Sequence, residues 1–373
     1  MFKKAYQTIK YWCPIPAAVL ILAAPAAVGL HAAFWQSTAL SDFFNYHISY
    51  YIRLVLATLT SPLPFSLFET FLLSLPLIIA SVLIFCFSHL STMRSIVRCF
   101  CSLLAFSAAV YLLFVFGWAP TYSGVTLDRH LDLKRQEVSA DELYDSAVYM
   151  LDRCDELLDE IDFHYGRESV MPYSLDEMNR RLNVAYARAA EDYDFIRPLR
   201  ANVKYVLLSE PMTYTHLSGV YTFFSGEANI NIHFPEYSLP FTAAHEMSHQ
   251  RGIARENEAN FMAFLVCLES GDPYIRYSGF LNMYEYIANA LYSADSARYF
   301  SLLSSMDRRI YGELVAYSRF FDRYRESKVS EVSESINDTY LKIQGQPAGT
   351  KSYGLVVDLA VAYVHACEES KDA

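Results

Sequence analysis

Two histidines and a glutamate in the run Phe241-Thr242-Ala243-Ala244-His245-Glu246-Met247-Ser248-His249 form the pattern H-E-x-x-H. On one helix His245 and His249, four residues apart, share a face and can both reach a single zinc ion. Glu246 then stands beside the metal. A carboxylate there can take a proton from a zinc-activated water and pass it to a leaving amine, which is the chemistry of peptide-bond hydrolysis.

A catalytic zinc site needs three protein ligands and one open position. Arg255 stands six residues after His249, where the third histidine of the extended H-E-x-x-H-x-x-G-x-x-H pattern falls, so that class is excluded. Glu256 and Glu258 remain. Two residues apart, they cannot share a helix face. Glu256 is preferred because Asn260, one turn on, would lie beside it and help orient the metal site, and Glu258 is kept as the alternative. Tyr277, Arg276, Tyr353 or His233 could donate to a developing oxyanion, although each is as readily a structural residue.

Several elements must position these groups. Thr242 suits the N-cap of a helix beginning near Ala243, and Gly252 suits the left-handed residue that ends it. A new helix then carries Glu256, Ala259, Asn260, Ala263 and Phe264 along one side. Upstream, Val203 to Leu208, Gly219 to Phe224 and Asn229 to Phe234 read as strands, with Ser225-Gly226 as a hairpin turn. Ile230, Ile232 and Phe234 alternate with Asn229, Asn231 and His233, which predicts one buried face. A strand just before a zinc helix is a place where an extended peptide could pair; a purely structural sheet is the other reading.

The remaining pattern is helical. Ser139 and Glu142 match a capping box before apolar positions running to Ile161, and Tyr173 to Ala189 reads as a second helix. Phe280 to Tyr292, Ser296 to Ser305, Ile310 to Arg325, Glu331 to Leu341 and Tyr353 to Cys367 follow. Residues 121–373 therefore read as one mostly α (α+β) domain with a small β-sheet.

The first 120 residues differ in kind. Ile15 to Trp35, Leu67 to Phe87 and Cys99 to Ala119 are apolar runs long enough to cross a hydrocarbon core of ~30 Å. Lys3, Lys4 and Lys10 precede the first span, and Arg94 and Arg98 lie between the second and third, so the positive-inside rule places the N-terminus in the cytoplasm. Three crossings leave the later domain extracytoplasmic. The aromatic stretch Phe43 to Leu56 suits a helix along the outer membrane surface, or one packed on the spans.

The net charge of −11 comes from the region after Thr126, and no basic stripe interleaved with aromatics exists, which excludes a nucleic-acid partner. The seven cysteines show neither C-x-x-C spacing nor a paired pattern, so any metal must be held by histidine and carboxylate.

The segment Glu256-Asn257-Glu258-Ala259-Asn260 resembles the E-x-x-A-D/N segment that supplies the glutamate ligand in gluzincin-type metallopeptidases. More widely, Phe223 to Glu227, Pro240 to Phe261, Arg276 to Gly279, Asp338 to Lys342 and Ser352 to Gly354 are similar to a bacterial membrane family named domain of unknown function 3810. The resemblance covers nearly the whole chain. It implies a zinc peptidase-like (zincin-like) fold in the bacterial envelope and supplies no substrate. The expectation is a membrane-anchored zinc metallopeptidase acting on a peptide or protein of the cell envelope. Its rivals are a zinc-binding, non-catalytic receptor or assembly factor, and a transporter or scaffold.

Overall fold

The computed structural model describes residues 2–165, 167–325, 327–349, 351 and 355–372. It opens with α1 (Phe2–Trp12) and α2 (Ile15–Gln36), followed by α3 (Thr38–Phe44), a π-helical turn (Asn45–Ser49) and α4 (Tyr50–Thr60). Then come α5 (Leu67–His89) and α6 (Met93–Gly117). Helices α2, α5 and α6 are long and apolar enough to cross a membrane. Most of α5 faces outward with bare apolar side chains, as a lipid-facing helix should.

The third of these helices starts six residues before the expected Cys99 and stops two before Ala119. A capping box between Thr92 and Ser95 initiates it at Met93, and Pro120 disfavours helix at Ala119, so the chain turns into a 3-10 segment, Ala119–Tyr122. Arg94 and Arg98 thereby join α6. They donate to the carbonyls of Tyr11 (3.1 Å) and Lys10 (2.9 Å), which gathers the basic residues at the end of the bundle away from the later domain.

The segment between the first two spans is helical but two-faced. Arg53 turns inward, fully covered, and donates to Gly117 O (3.2 Å) and Asn45 Oδ1 (2.7 Å), while the Tyr50 hydroxyl reaches Pro198 O (2.7 Å). Phe43, Tyr51, Val55 and Leu59 stay exposed on the other side.

The later part comprises α7 (Leu127–His130), α8 (Ala140–Asp155), β1 (Phe163–His164), β2 (Glu168–Ser169), α9 (Leu175–Asp192), β3 (Lys204–Tyr205), α10 (Ser209–Thr213), β4 (Gly219–Thr222) and β5 (Glu227–Ile230). It continues through α11 (Ser238–Gln250), α12 (Glu256–Glu269), α13 (Pro273–Ala294), α14 (Ser296–Ser305), α15 (Arg308–Phe321), α16 (Lys328–Ile343) and α17 (Val356–Asp372). The closing helix thus starts after Tyr353, which with Ser352 and Gly354 lies outside the described residues. Ser139 and Glu142 form the expected capping box of α8. The core lies where α11, α12 and α13 meet α8 and α9, around Met178, Tyr186, Met247, Phe261, Phe264 and Leu281.

The main sheet has the order β3-β5-β4, with β5 parallel to β3 and antiparallel to β4; Gly219 pairs with Ile230 and Thr222 with Glu227. The expected one-faced strand Asn229 to Phe234 is different in fact. It ends at Ile230, Asn229 and Asn231 are fully buried, and Ile232 is exposed. A central strand has no wet face, and each asparagine is hydrogen-bonded instead: Asn229 Nδ2 to Val220 O (3.3 Å), Asn231 Nδ2 to Thr213 Oγ1 (3.1 Å).

Spans and domain are joined by buried polar links. Glu227 accepts from the Leu67 and Phe68 N–H groups (3.0 and 3.2 Å), capping α5, and from Lys204 Nζ at 2.6 Å. Glu69, in the first turn of α5, accepts from the N–H groups of Leu207 (3.0 Å) and Leu208 (2.7 Å).

Candidate metal centre

Every residue of α11 is buried, so the H-E-x-x-H segment is an internal helix rather than a surface one. It begins at Ser238, one turn before the expected start, and Thr242 lies inside it rather than capping it. The early start is possible because the free N–H groups find partners: those of Ser238 and Leu239 bond the carbonyls of Pro235 and Glu236, Pro240 has none, and Phe241 donates to Ser278 Oγ at 3.1 Å. The helix ends as expected at Gly252, whose φ of 93° allows the N–H of Ile253 to reach Ser248 O (3.2 Å) and its own to reach His249 O (2.9 Å).

That turn positions a ligand. The Ile253 carbonyl accepts from His249 Nδ1 at 2.7 Å, which fixes a proton on Nδ1 and turns Nε2 towards Glu256. After the turn, α12 brings Glu256 back over α11. Its Oε2 lies 3.2 Å from His245 Nε2 and 3.4 Å from His249 Nε2. The edge of a tetrahedron around zinc, with bonds of ~2.1 Å, is ~3.4 Å, so both carboxylate-to-imidazole separations match those between ligands of one ion. They form the one group of three metal-ligating side chains found among the described residues, and all three residues are buried.

Glu258 points elsewhere. Its Oε1 accepts from the Leu127 N–H (3.2 Å) and from Arg255 Nη1 (2.9 Å), tying α12 to the segment that leaves the third span. Asn260 lies beside both His245 and Tyr286, and its Nδ2 has no partner.

Glu246 is adjacent but is not part of the triad. Its Oε2 is buried without a hydrogen bond, and burial pushes its carboxyl up to about 8, with His249 opposing and Glu256 adding to the rise. Burial draws the His249 imidazole down, but the neighbouring Glu256 carboxylate outweighs this and lifts it to about 9. His245 is lowered, first by burial, although the Glu256 carboxylate pulls the other way. Burial acts against ionisation of Glu256 too, yet the two imidazoles hold it well below the usual carboxylate range. Three buried donors of mixed protonation, crowded and incompletely hydrogen-bonded, fit a divalent cation.

A cleft opens on the triad from two sides. One arm, about 480 Å³, is lined by polar groups including Thr242, Asn260, Asn282, Ser333 and Asn337. The other, about 370 Å³, is lined by Trp118, Tyr122, Tyr221, Phe223, Ile336 and Tyr340. Both share Leu217, Gly219, His245, Glu246, Ser333 and Asn337, so they form one groove between β4 and α16. Gly219 lies against Glu246: a Cβ there would stand 2.7 Å from its Cγ and 2.8 Å from its Cδ.

None of the proposed oxyanion donors reaches this groove among the described residues. Tyr277 is buried in the core beside Glu313, His233 bonds Thr213 Oγ1 and packs at a tilt against Phe320, Arg276 lines neither arm, and Tyr353 lies outside the described residues. Tyr286, Tyr221 and Asn337 line it instead. No local pattern marks them, since their arrival depends on how α13, β4 and α16 pack.

The fold and the site thus define a mostly helical, membrane-associated protein with a buried His-His-Glu group able to hold a metal ion beside an open groove. Residues 44–361 match the family model described as protein of unknown function (DUF3810), and the chain belongs to that family. No curated protein and no solved structure matches it.

Proposed function

We propose that the protein is a membrane-anchored zinc metallopeptidase with a zincin-like catalytic domain. The observation that carries this reading is the convergence of His245, His249 and Glu256 on one point while Glu246, outside the triad and with one carboxyl oxygen unpaired, lines the same groove. A purely structural zinc site is closed by four protein ligands and has no use for such a neighbour.

When bound, zinc supplies Lewis acidity that polarises the scissile carbonyl and acidifies water beside it. His245, His249 and Glu256 hold the ion, and Asn260 supports His245. Glu246 acts as general base and then general acid: water oxygen joins the carbonyl carbon, Glu246 takes the proton, and as the C–N bond breaks it delivers that proton to the amine. β5 is internal and has no free edge, so the substrate backbone lies along β4, the outer strand that forms one wall.

The basic end of the span bundle supports a cytoplasmic N-terminus in the cytoplasmic membrane, with the catalytic domain extracytoplasmic and facing peptide or protein substrates of the cell envelope. The test is metal analysis and peptide hydrolysis on the purified full chain. About one zinc per chain, lost in His245→Ala, is expected, with Glu246→Gln keeping metal and losing hydrolysis. Zinc retained in His245→Ala sinks the site assignment. Hydrolysis surviving in Glu246→Gln removes the mechanism, and zinc without hydrolysis in the wild type leaves the receptor or assembly-factor reading.

A further inference from the structure

The position of the groove relative to the spans selects a class of substrate. Arg98 and Trp118 are twenty residues apart on α6 and its end, about 30 Å at 1.5 Å per residue, which is the thickness of a hydrocarbon core. A span that starts at Arg98 would therefore end near Trp118, whose ring is buried against the later part of the chain. The Trp118 ring centroid lies 6.0 Å from that of His249 and 4.8 Å from that of Tyr221. The metal centre is one aromatic ring away from the membrane exit of the third span.

β4 runs from the one to the other. It begins at Gly219 against Glu246, passes Tyr221 beside Trp118, and ends in the hairpin tip, where Phe223 meets Phe114 of α6 (5.4 Å) and Phe224 meets Phe71 of α5 (6.2 Å). The two arms differ in the same direction. The arm away from the spans mixes polar groups with Phe234, Phe241 and Phe321, whereas the arm beside them is walled mainly by aromatic and aliphatic side chains.

Building on the metallopeptidase reading, we propose that the substrate is a polypeptide anchored in the same bilayer, lying along β4 with its apolar, membrane-proximal part in the aromatic arm. The bond presented to Glu246 then lies a fixed distance outside the membrane. Four residues separate Gly219 from Phe223, and at ~3.3 Å per residue a paired peptide covers about 13 Å over the same stretch. Cleavage falls about four residues from the anchored end.

The experiment uses the full chain with zinc in phospholipid vesicles. The probes are a degenerate-sequence peptide pool carrying a palmitoyl chain at one end and the same pool without it, with cut positions mapped by mass spectrometry. Expected are cuts in the acylated pool confined to bonds about three to seven residues from the acylated end, and at least tenfold slower cleavage of the free pool. Cuts spread evenly along the acylated peptides, or equal rates for the two pools, overturn the inference while leaving the peptidase reading intact. Should zinc-loaded protein cut neither pool, the peptidase reading fails, and the groove is read by photocrosslinking in Glu246→Gln. A benzophenone four residues from the acyl chain labels Val220 to Phe223, and one fifteen residues away does not. Equal labelling, or none, overturns the inference.

Discussion

Gly219→Ala tests the active-site geometry without touching a ligand. The added methyl would stand 2.7 and 2.8 Å from the Glu246 Cγ and Cδ, where carbon atoms rest at about 3.5 to 4.0 Å. Something must move by about 1 Å. β4 is held by its ladder to β5, and Glu246 is only 4% exposed, so the carboxylate is what gives. A misplacement of about 1 Å at a reacting group costs on the order of a hundredfold in rate. The expected result is a fall of about that size in kcat, zinc content unchanged, and a melting temperature close to the wild type, read by a fluorogenic peptide assay, metal analysis and thermal unfolding in detergent. Activity within threefold of the wild type, with zinc retained, would show that Glu246 does not need its present position and would refute the reasoning.

Glu256→Ala is expected to abolish zinc binding, whereas Glu258→Gln keeps zinc and loses about 1–3 kcal/mol of stability through the Leu127 and Arg255 contacts; the reverse pattern in metal analysis would move the third ligand to Glu258. Glu227→Ala leaves Lys204 buried without its counter-ion and the Leu67 and Phe68 N–H groups without their acceptor, at a cost of about 3–5 kcal/mol, so an unchanged thermal transition would contradict the packing described. Glu313, buried on α15 with its carboxyl raised to about 7 by burial against the lowering bond from Ser169, binds its proton more tightly folded than unfolded. Its contribution is thus present below about pH 4.5 and is lost as pH rises through about 7, at up to roughly 1.4 kcal/mol per unit. Glu313→Gln should flatten that stretch of the stability profile, and an unaltered slope would argue against a protonated Glu313.

What the sequence makes legible here is local. Four-residue spacing puts His245 and His249 together on any helix, a glycine three residues on ends it, and twenty apolar residues span a bilayer whatever surrounds them. The early start of α11 is not legible because one of its free N–H groups, that of Phe241, is satisfied by Ser278, 37 residues away in the chain. Asn229 and Asn231 read as a wet face because alternation reports polarity, while burial depends on partners such as Thr213 that pattern does not reveal. Gly219, Trp118 and Asn337 escaped notice for the same reason. Each reaches the groove through tertiary packing, and none belongs to a motif.

The spans and the metal centre share their supports, which bears on what can be separated. Gly252, the residue that turns the chain from α11 towards Glu256, lies against Arg53 and Asn45, so that a Cβ there would stand 2.7 Å from Asn45 Oδ1. Gln250 donates to Gly226 O at 2.9 Å, and Gly226 in turn sits on the backbone of Leu56 and Ala57. The far end of the motif helix is thus braced by the segment between the first two spans. Lys204 completes its hydrogen bonds on the carbonyls of Thr60 and Phe65, again from that segment. A chain cut at residue 120 would keep the Lys204–Glu227 pair but strip it of the Thr60 and Phe65 carbonyls and the Leu67 and Phe68 N–H groups that complete its hydrogen bonds. The family match begins at residue 44, inside the same brace rather than after the third span. The helices that bring His245, His249 and Glu256 together are therefore braced from the membrane side as well as from their own core.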